Sequence, residues 1–154
     1  MERAGKNRKR IRIDYSRLTQ QQALAGFNAF TGNNYISSFL RKTKKTWIKV
    51  LEDSESLSFL AQLGNNSLTD ELFHNAEKFV CKLYGDRHCE SVNELRAKIF
   101  WKCLKKDGKV VDLSLLPPYS STLWKHTVRA HFIAKMWKLA SYPLQHLDSF
   151  ADNG

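Results

Sequence analysis

Residues 69–84 set the class of fold open to this chain. Leu72, Phe73, Ala76, Phe79, Val80 and Leu83 recur at the 3.6-residue period of an α-helix, with Thr69 placed to cap it and Gly85 to end it. No stretch of comparable length alternates polar and apolar residues as a half-buried strand does, and there is no internal repeat. The chain therefore has to bury its apolar surface by packing helix on helix.

The other segments fit that constraint. Ser16 caps a helix to about residue 29, with Leu18, Ala23, Leu24, Phe27 and Phe30 on its apolar side and Gly26 as a mild breaker. Gly32 closes it, and Asn33-Asn34 turns into a short helix over 34–41. Thr43 caps a further helix to residue 52, whose Trp47, Ile48, Val50 and Leu51 face inward. Trp47 is expected in the core rather than stacked on a base. Leu57, Phe59, Leu60 and Leu63 form the inner side of the next helix, stopped by Gly64. Ser91 and Glu94 have capping-box spacing before Val92, Leu95, Ile99, Phe100, Cys103 and Leu104. Residues 109–116 read as extended, with a weak strand-like Val110-Val111, and Pro117-Pro118 blocks any helix there. A last long helix starts at 120–122 and runs to about 140. Leu123, Trp124, Thr127, Val128, His131, Ala134, Met136 and Trp137 are its expected contacts, and Pro143 stops it. The expected architecture is all-α: a compact bundle of six or seven helices with a basic helix–turn–helix-like corner. The domain spans 16–143, between a basic flexible arm (1–15) and a polar tail (144–154).

Charge is what points to a partner. Residues 1–50 hold 12 Lys/Arg against 2 Asp/Glu, whereas residues 51–100 hold 5 against 9. A localised excess of this kind marks an anionic partner. It has two centres. Arg8, Lys9, Arg10 and Arg12 lie in the arm, which reads as a nuclear-localisation patch, an arm on nucleic-acid phosphates, or a solvated tail. Arg41, Lys42, Lys44, Lys45 and Lys49 surround Thr43. With the free N–H groups at the start of the Thr43 helix they would form a phosphate-binding corner, the competing reading being a solvated cationic face.

Other chemistries find little support. Cys81, Cys89 and Cys103 make neither a disulfide framework nor a Cys-x-x-Cys zinc pair, and read as buried free thiols. His126 and His131 project about 140° apart on one helix, at ~3.6 residues per turn, and do not face one metal. No Gly-rich phosphate loop occurs, so no cofactor is expected. No run approaches the ~20 apolar residues of a membrane helix, and residues 1–6 lack the apolar core of a signal peptide. The expected location is intracellular and nuclear.

One resemblance narrows the reading. Residues 29–51, with Thr31-Gly32-Asn33-Asn34, Phe39 and the basic run after it, resemble the A-F-T-G-C-D-T-T-S-A-F, G-K-G-K and A-L-K-L-L stretch of animal proteins associated with mobile elements. That stretch is similar to the arch of PIN-like, flap-endonuclease-type nucleases. There the Asp is a metal ligand and the Gly-x-Gly hairpin grips the duplex backbone. Four further segments follow in the same order. Residues 77–85 are similar to E-K-F-x-C-x-L-Y-G, residues 91–96 to S-V-N-E-L-R, and Leu116-Pro117-Pro118 with residues 126–130 to L-P-P and H-T-L-R-A. Asn34 replaces the Asp, and Arg41 and Thr43 replace the two glycines. The acid-bearing parallel sheet of such a nuclease would lie upstream of residue 16. The chain then reads as a fragment, or as a separate reading frame that has lost the nuclease core. The resemblance implies the fold and argues against the activity. The expected function is non-catalytic binding of the nucleic-acid backbone, with DNA ahead of RNA and weak sequence specificity. The alternative is a protein-interaction or homodimerisation module, in which the half over 69–140 exposes an apolar patch once packed on a nuclease core.

Overall fold

The computed structural model describes residues 20–51, 54–107 and 111–140. Within them lie six α-helices and one 3-10 turn: α1 (Gln20–Thr31), α2 (Lys44–Ile48), α3 (Ser54–Gln62), α4 (Asp70–Leu83), α5 (Val92–Asp107), the turn Leu113–Leu115, and α6 (Ser120–Ala140). No strand occurs among the described residues, and no helix there is long and apolar enough to cross a membrane. The basic arm, the polar tail, Ser16 and Leu18 fall outside the described residues, as does Val110 of the strand-like pair.

α4 forms where its pattern requires. The Thr69 side chain accepts a hydrogen bond from the Leu72 N–H at 3.1 Å, and Asp70 and Glu71 occupy the positive end of the helix dipole. At its other end Gly85 N–H donates to Lys82 O and Asp86 N–H to Cys81 O, both at 3.1 Å. This paired closure satisfies the last carbonyls. Leu72, Ala76, Phe79, Val80, Cys81 and Leu83 are buried.

α1 packs chiefly on α3 and α6. At its crossing with α3, Gly26 is a contact site rather than a weak point. A Cβ there would lie 2.0 Å from the Leu60 carbonyl oxygen. α3 is closed from α6. Gly64, at φ +82°, leaves no room for a Cβ against the Lys135 N and Ala134 C of α6. His131 Nδ1 accepts from Gly64 N–H at 3.2 Å, and its Nε2–H donates to Asn66 O at 2.7 Å. Lys138 Nζ donates to Ala61 O, Leu63 O and Asn65 Oδ1 at 2.6–2.7 Å, so a side chain of α6 caps α3.

The core centres on Phe30. Its fully buried ring meets Phe39, Trp47, Phe59, Phe79 and His126 at centroid distances of 5.1–6.0 Å, and Trp47 stacks on Phe79 at 5.4 Å. Edge-to-face ring packing of this density fixes orientation as well as burying area. Asn93 Oδ1 accepts from Ser120 N–H at 3.0 Å, capping α6 from α5. Arg96 donates to the Pro117 carbonyl and lies 4.1 Å from the centre of the Tyr119 ring.

Three expectations are corrected. Residues 34–41 are bends and a turn, not a helix. Asn33 N–H donates forward to Ile36 O at 3.0 Å, opposite to the direction of a helical bond, and Lys42 N–H closes a turn on Phe39 O, while Ile36 and Phe39 both reach the core. The Thr43 helix ends at Ile48, and Lys49 to Leu51 are turns closed by the tighter bonds Val50 N–H to Trp47 O and Leu51 N–H to Ile48 O. On α6, Trp124, Val128 and Met136 are exposed, because the core takes only the Leu123, Thr127, Ala130 and Ala134 side of that helix.

Candidate nucleic-acid interface

The basic corner is built by the chain leaving α1. Thr31 Oγ1 donates to Phe27 O at 2.8 Å, and the Asn33 side-chain amide donates to Asn28 O and Ala29 O, closing the helix. Asn33 Oδ1 then accepts from Tyr35 N–H at 2.8 Å, which leaves Asn34 and Tyr35 exposed. Ile36, Phe39 and Trp47 pin the following stretch to the core at three points. Between Phe39 and Lys42 the backbone reverses, with Lys42 N–H donating to Phe39 O at 3.0 Å and Arg41 at φ +57°.

The cations of this corner differ in kind. Lys42 is half-buried: its Nζ lies 4.0 Å from the centre of the Tyr84 ring and donates to Leu83 O at 3.4 Å, at the carbonyl end of α4. Burial holds its ammonium below the ordinary lysine range. Lys44 is exposed and reaches Asn28 Oδ1 at 3.1 Å, tying α2 to α1. Lys45 and Lys49 are exposed and meet no carboxylate among the described residues. Arg41 is exposed and close enough to Asp112 to help hold that carboxyl below the usual range, behind the larger effect of the Ser114 hydroxyl and N–H. Thr43 is exposed at the start of α2, with its hydroxyl 3.2 Å from that of Thr46 and on no backbone N–H. α2 has five residues, so its dipole is small and the corner depends on side-chain charge rather than on N–H groups. Arg8, Lys9, Arg10 and Arg12 lie outside the described residues.

Residues 20–51 contain five Lys/Arg and no Asp or Glu. The surface of α4 is different. Lys78 and Lys82 pair with Glu55, Lys78 also pairs with Glu90, and Lys98 pairs with Asp86, at 2.7–3.9 Å. The chain thus neutralises its lysines around α4 and leaves those around α2 without acidic partners among the described residues.

Beside the corner lies a cavity of about 200 Å³ lined by Ser37, Ser38, Tyr84, Ser114, Thr122 and His126 among others. His126 is held against the core, its Nε2–H donating to Phe30 O at 2.9 Å, while its neighbour His131 serves the α3 cap. Cys81, Cys89 and Cys103 are free thiols, of which the first two are buried. Burial, with Cys89 beside it, pushes the Cys81 thiol far up, which makes it a poor nucleophile. Among the described residues no three His, Cys, Asp or Glu side chains converge as a metal site would require.

The docking of Lys42 on Tyr84 was not visible in the sequence. The only trace is a lone basic–aromatic pair 42 residues apart, with nothing to mark it. Comparison with protein-family models, curated proteins and solved structures gives no match to this chain.

Proposed function

We propose that the chain is a non-catalytic domain that binds the phosphate backbone of nucleic acids, DNA ahead of RNA, and that it derives from a PIN-like nuclease. One observation carries the reading: a core-pinned turn presents Arg41, Lys44, Lys45 and Lys49 at the surface, within a 32-residue stretch free of carboxylates. Such a cluster gains by releasing counterions from a polyanion and reads no bases. Lys42 is a positioning residue here, holding the turn against α4. The arm residues Arg8, Lys9, Arg10 and Arg12 add sequence-independent attraction. In this reading Asn34 leaves the metal position of the nuclease arch without its carboxylate, and the protein acts in the nucleus.

The test is a titration of the full chain against duplex DNA, single-stranded DNA and RNA at low and physiological salt. The four phosphate contacts of the corner alone should lower duplex affinity roughly a hundredfold between about 50 and 200 mM salt, and the arm should steepen that fall. The variant with Arg41, Lys44, Lys45 and Lys49 changed to Ala should lose most of that binding while its circular dichroism stays unchanged. Affinity indifferent to salt, or unaltered in the folded variant, would overturn the reading. So would metal-dependent cleavage by the purified chain that disappears when its acidic residues are replaced.

A further inference from the structure

α6 is apolar on two sides. Its inner side, with Leu123, Thr127, Ala130 and Ala134, is buried against α1 and α4. Trp124, Val128, Phe132, Met136 and Leu139 are 36–59 % exposed. At ~100° per residue these five fall in one arc centred about 150° from the buried side, and they extend over roughly 22 Å of helix. Trp124 at one margin packs edge-on against Phe73 of α4 at 4.9 Å, but Val128, Phe132, Met136 and Leu139 lie on a helix that already has a full inner contact and mark a surface that another molecule covers.

Two features say what covers it. The first is charge. α6 contains Lys125, Arg129, Lys135 and Lys138 and no Asp or Glu in its 21 residues. Lys125, Arg129 and Lys135 are exposed and share the outer arc with the apolar stripe. The second is shape. Tyr35 and Ile36 of the turn after α1 stand opposite Val128, Arg129, Phe132 and Ile133 and enclose an open socket of about 340 Å³. It has room for a leucine or aromatic side chain from a partner, the kind of buried anchor that dominates interface energetics.

A second copy of this chain fits poorly, because two such faces would bring their cations together. A bilayer also fits poorly, since interfacial helices keep a cationic face apart from an apolar one, and here Lys125, Arg129 and Lys135 share the arc of the apolar side chains. We infer that the outer face of α6, with the Tyr35–Ile133 socket, docks an acidic amphipathic helix of another protein. Its apolar side chains cover Trp124, Val128, Phe132 and Met136, one of them entering the socket. Its carboxylates meet Lys125, Arg129 and Lys135. This is helix-on-helix recognition read at i, i+4 spacing, with charge selecting the partner.

The probe is a fluorescent synthetic helix with leucines at i, i+4 and i+7 and glutamates on both flanks, titrated against the full chain. A second peptide carries lysine at every glutamate position. The glutamate peptide should bind, and both Phe132→Asp and Met136→Asp should weaken it by about tenfold or more, as loss of a central anchor does. The triple change Lys125→Glu, Arg129→Glu and Lys135→Glu should reverse the preference toward the lysine peptide. Circular dichroism checks that each variant is folded. The alanine variant of Arg41, Lys44, Lys45 and Lys49 should bind the peptide as the parent does, which separates this face from the basic corner. Equal binding of both peptides, binding of neither, or binding unaffected by Phe132→Asp would overturn the inference. It would also fall if phosphatidylserine vesicles, or self-association of the chain, required Phe132 while the glutamate peptide did not bind.

Discussion

Arg41 sits at φ +57°, where the Cβ of an L-residue crowds the carbonyl that follows it. Glycine is the residue that adopts this conformation without cost, so the arginine side chain is present in spite of its backbone. Arg41→Gly relieves a strain of about 1–2 kcal/mol and returns part of it as extra freedom of the unfolded chain. The expected result is a chain slightly more stable, by about 0.5 kcal/mol in urea unfolding, that binds DNA less tightly. A variant both less stable and weaker in binding would mean that the guanidinium supports the fold, through Asp112, more than it serves a ligand. Lys42 shows the opposite relation. Its charge is absorbed by the Tyr84 ring and the carbonyl end of α4, so it has less to offer a phosphate than its position in the basic run suggests.

At the scale of elements, the α1–α3 crossing depends on one missing methyl group. A Cβ on Gly26 would meet the Leu60 carbonyl at 2.0 Å, and a backbone oxygen at that distance yields only by moving a helix. Alanine is the better helix former by about 1 kcal/mol, yet Gly26→Ala should destabilise the protein by roughly 1–3 kcal/mol, because overpacking at the crossing outweighs propensity. Thermal melts decide it: a rise in Tm would show that α1 and α3 are not this close in solution. α2 is governed by packing alone. It is a single turn without a side-chain cap, and Trp47 holds it by full burial against Phe30 and Phe79.

For the whole molecule, pH acts through the histidine inside the aromatic core. Burial lowers the His126 pKa below its ordinary 6.5, Arg129 pushes the same way, and the bond to Phe30 O offsets part of this. The unfolded chain therefore binds this proton at a higher pH than the native one. Stability from the neutral ring is present above the unfolded value of 6.5 and is lost as pH falls toward the lower native value. The urea midpoint should fall between about pH 7 and 5, with a slope of at most about 1.4 kcal/mol per pH unit from this group. His126→Gln keeps a donor for Phe30 O and should flatten that dependence, though it lowers stability at neutral pH. Parallel pH profiles for parent and variant would exclude His126 as the source.

The sequence alone determined the helical class and most element ends. These are local matters: Thr69 beside a free N–H, Gly85 and Gly64 where a helix turns left-handed, and the spacing of Leu72 to Leu83. It also placed Trp47 in the core and marked the acid-free basic corner, since charge density is a property of the chain before folding. Tertiary structure decided the rest. Periodicity tells which residues share a face of α6 but not how many faces are covered, so Trp124, Val128 and Met136 read as core until their neighbours were in place. The path of residues 34–41 is set by where the chain leaves α1, with Asn33 N–H donating forward to Ile36 O instead of into a helix, and by Ile36 and Phe39 reaching the core. The partners of Lys42, Lys138 and His126 lie 41, 73–77 and 96 residues away. No local rule reaches contacts that exist only once α1, α3, α4 and α6 have packed.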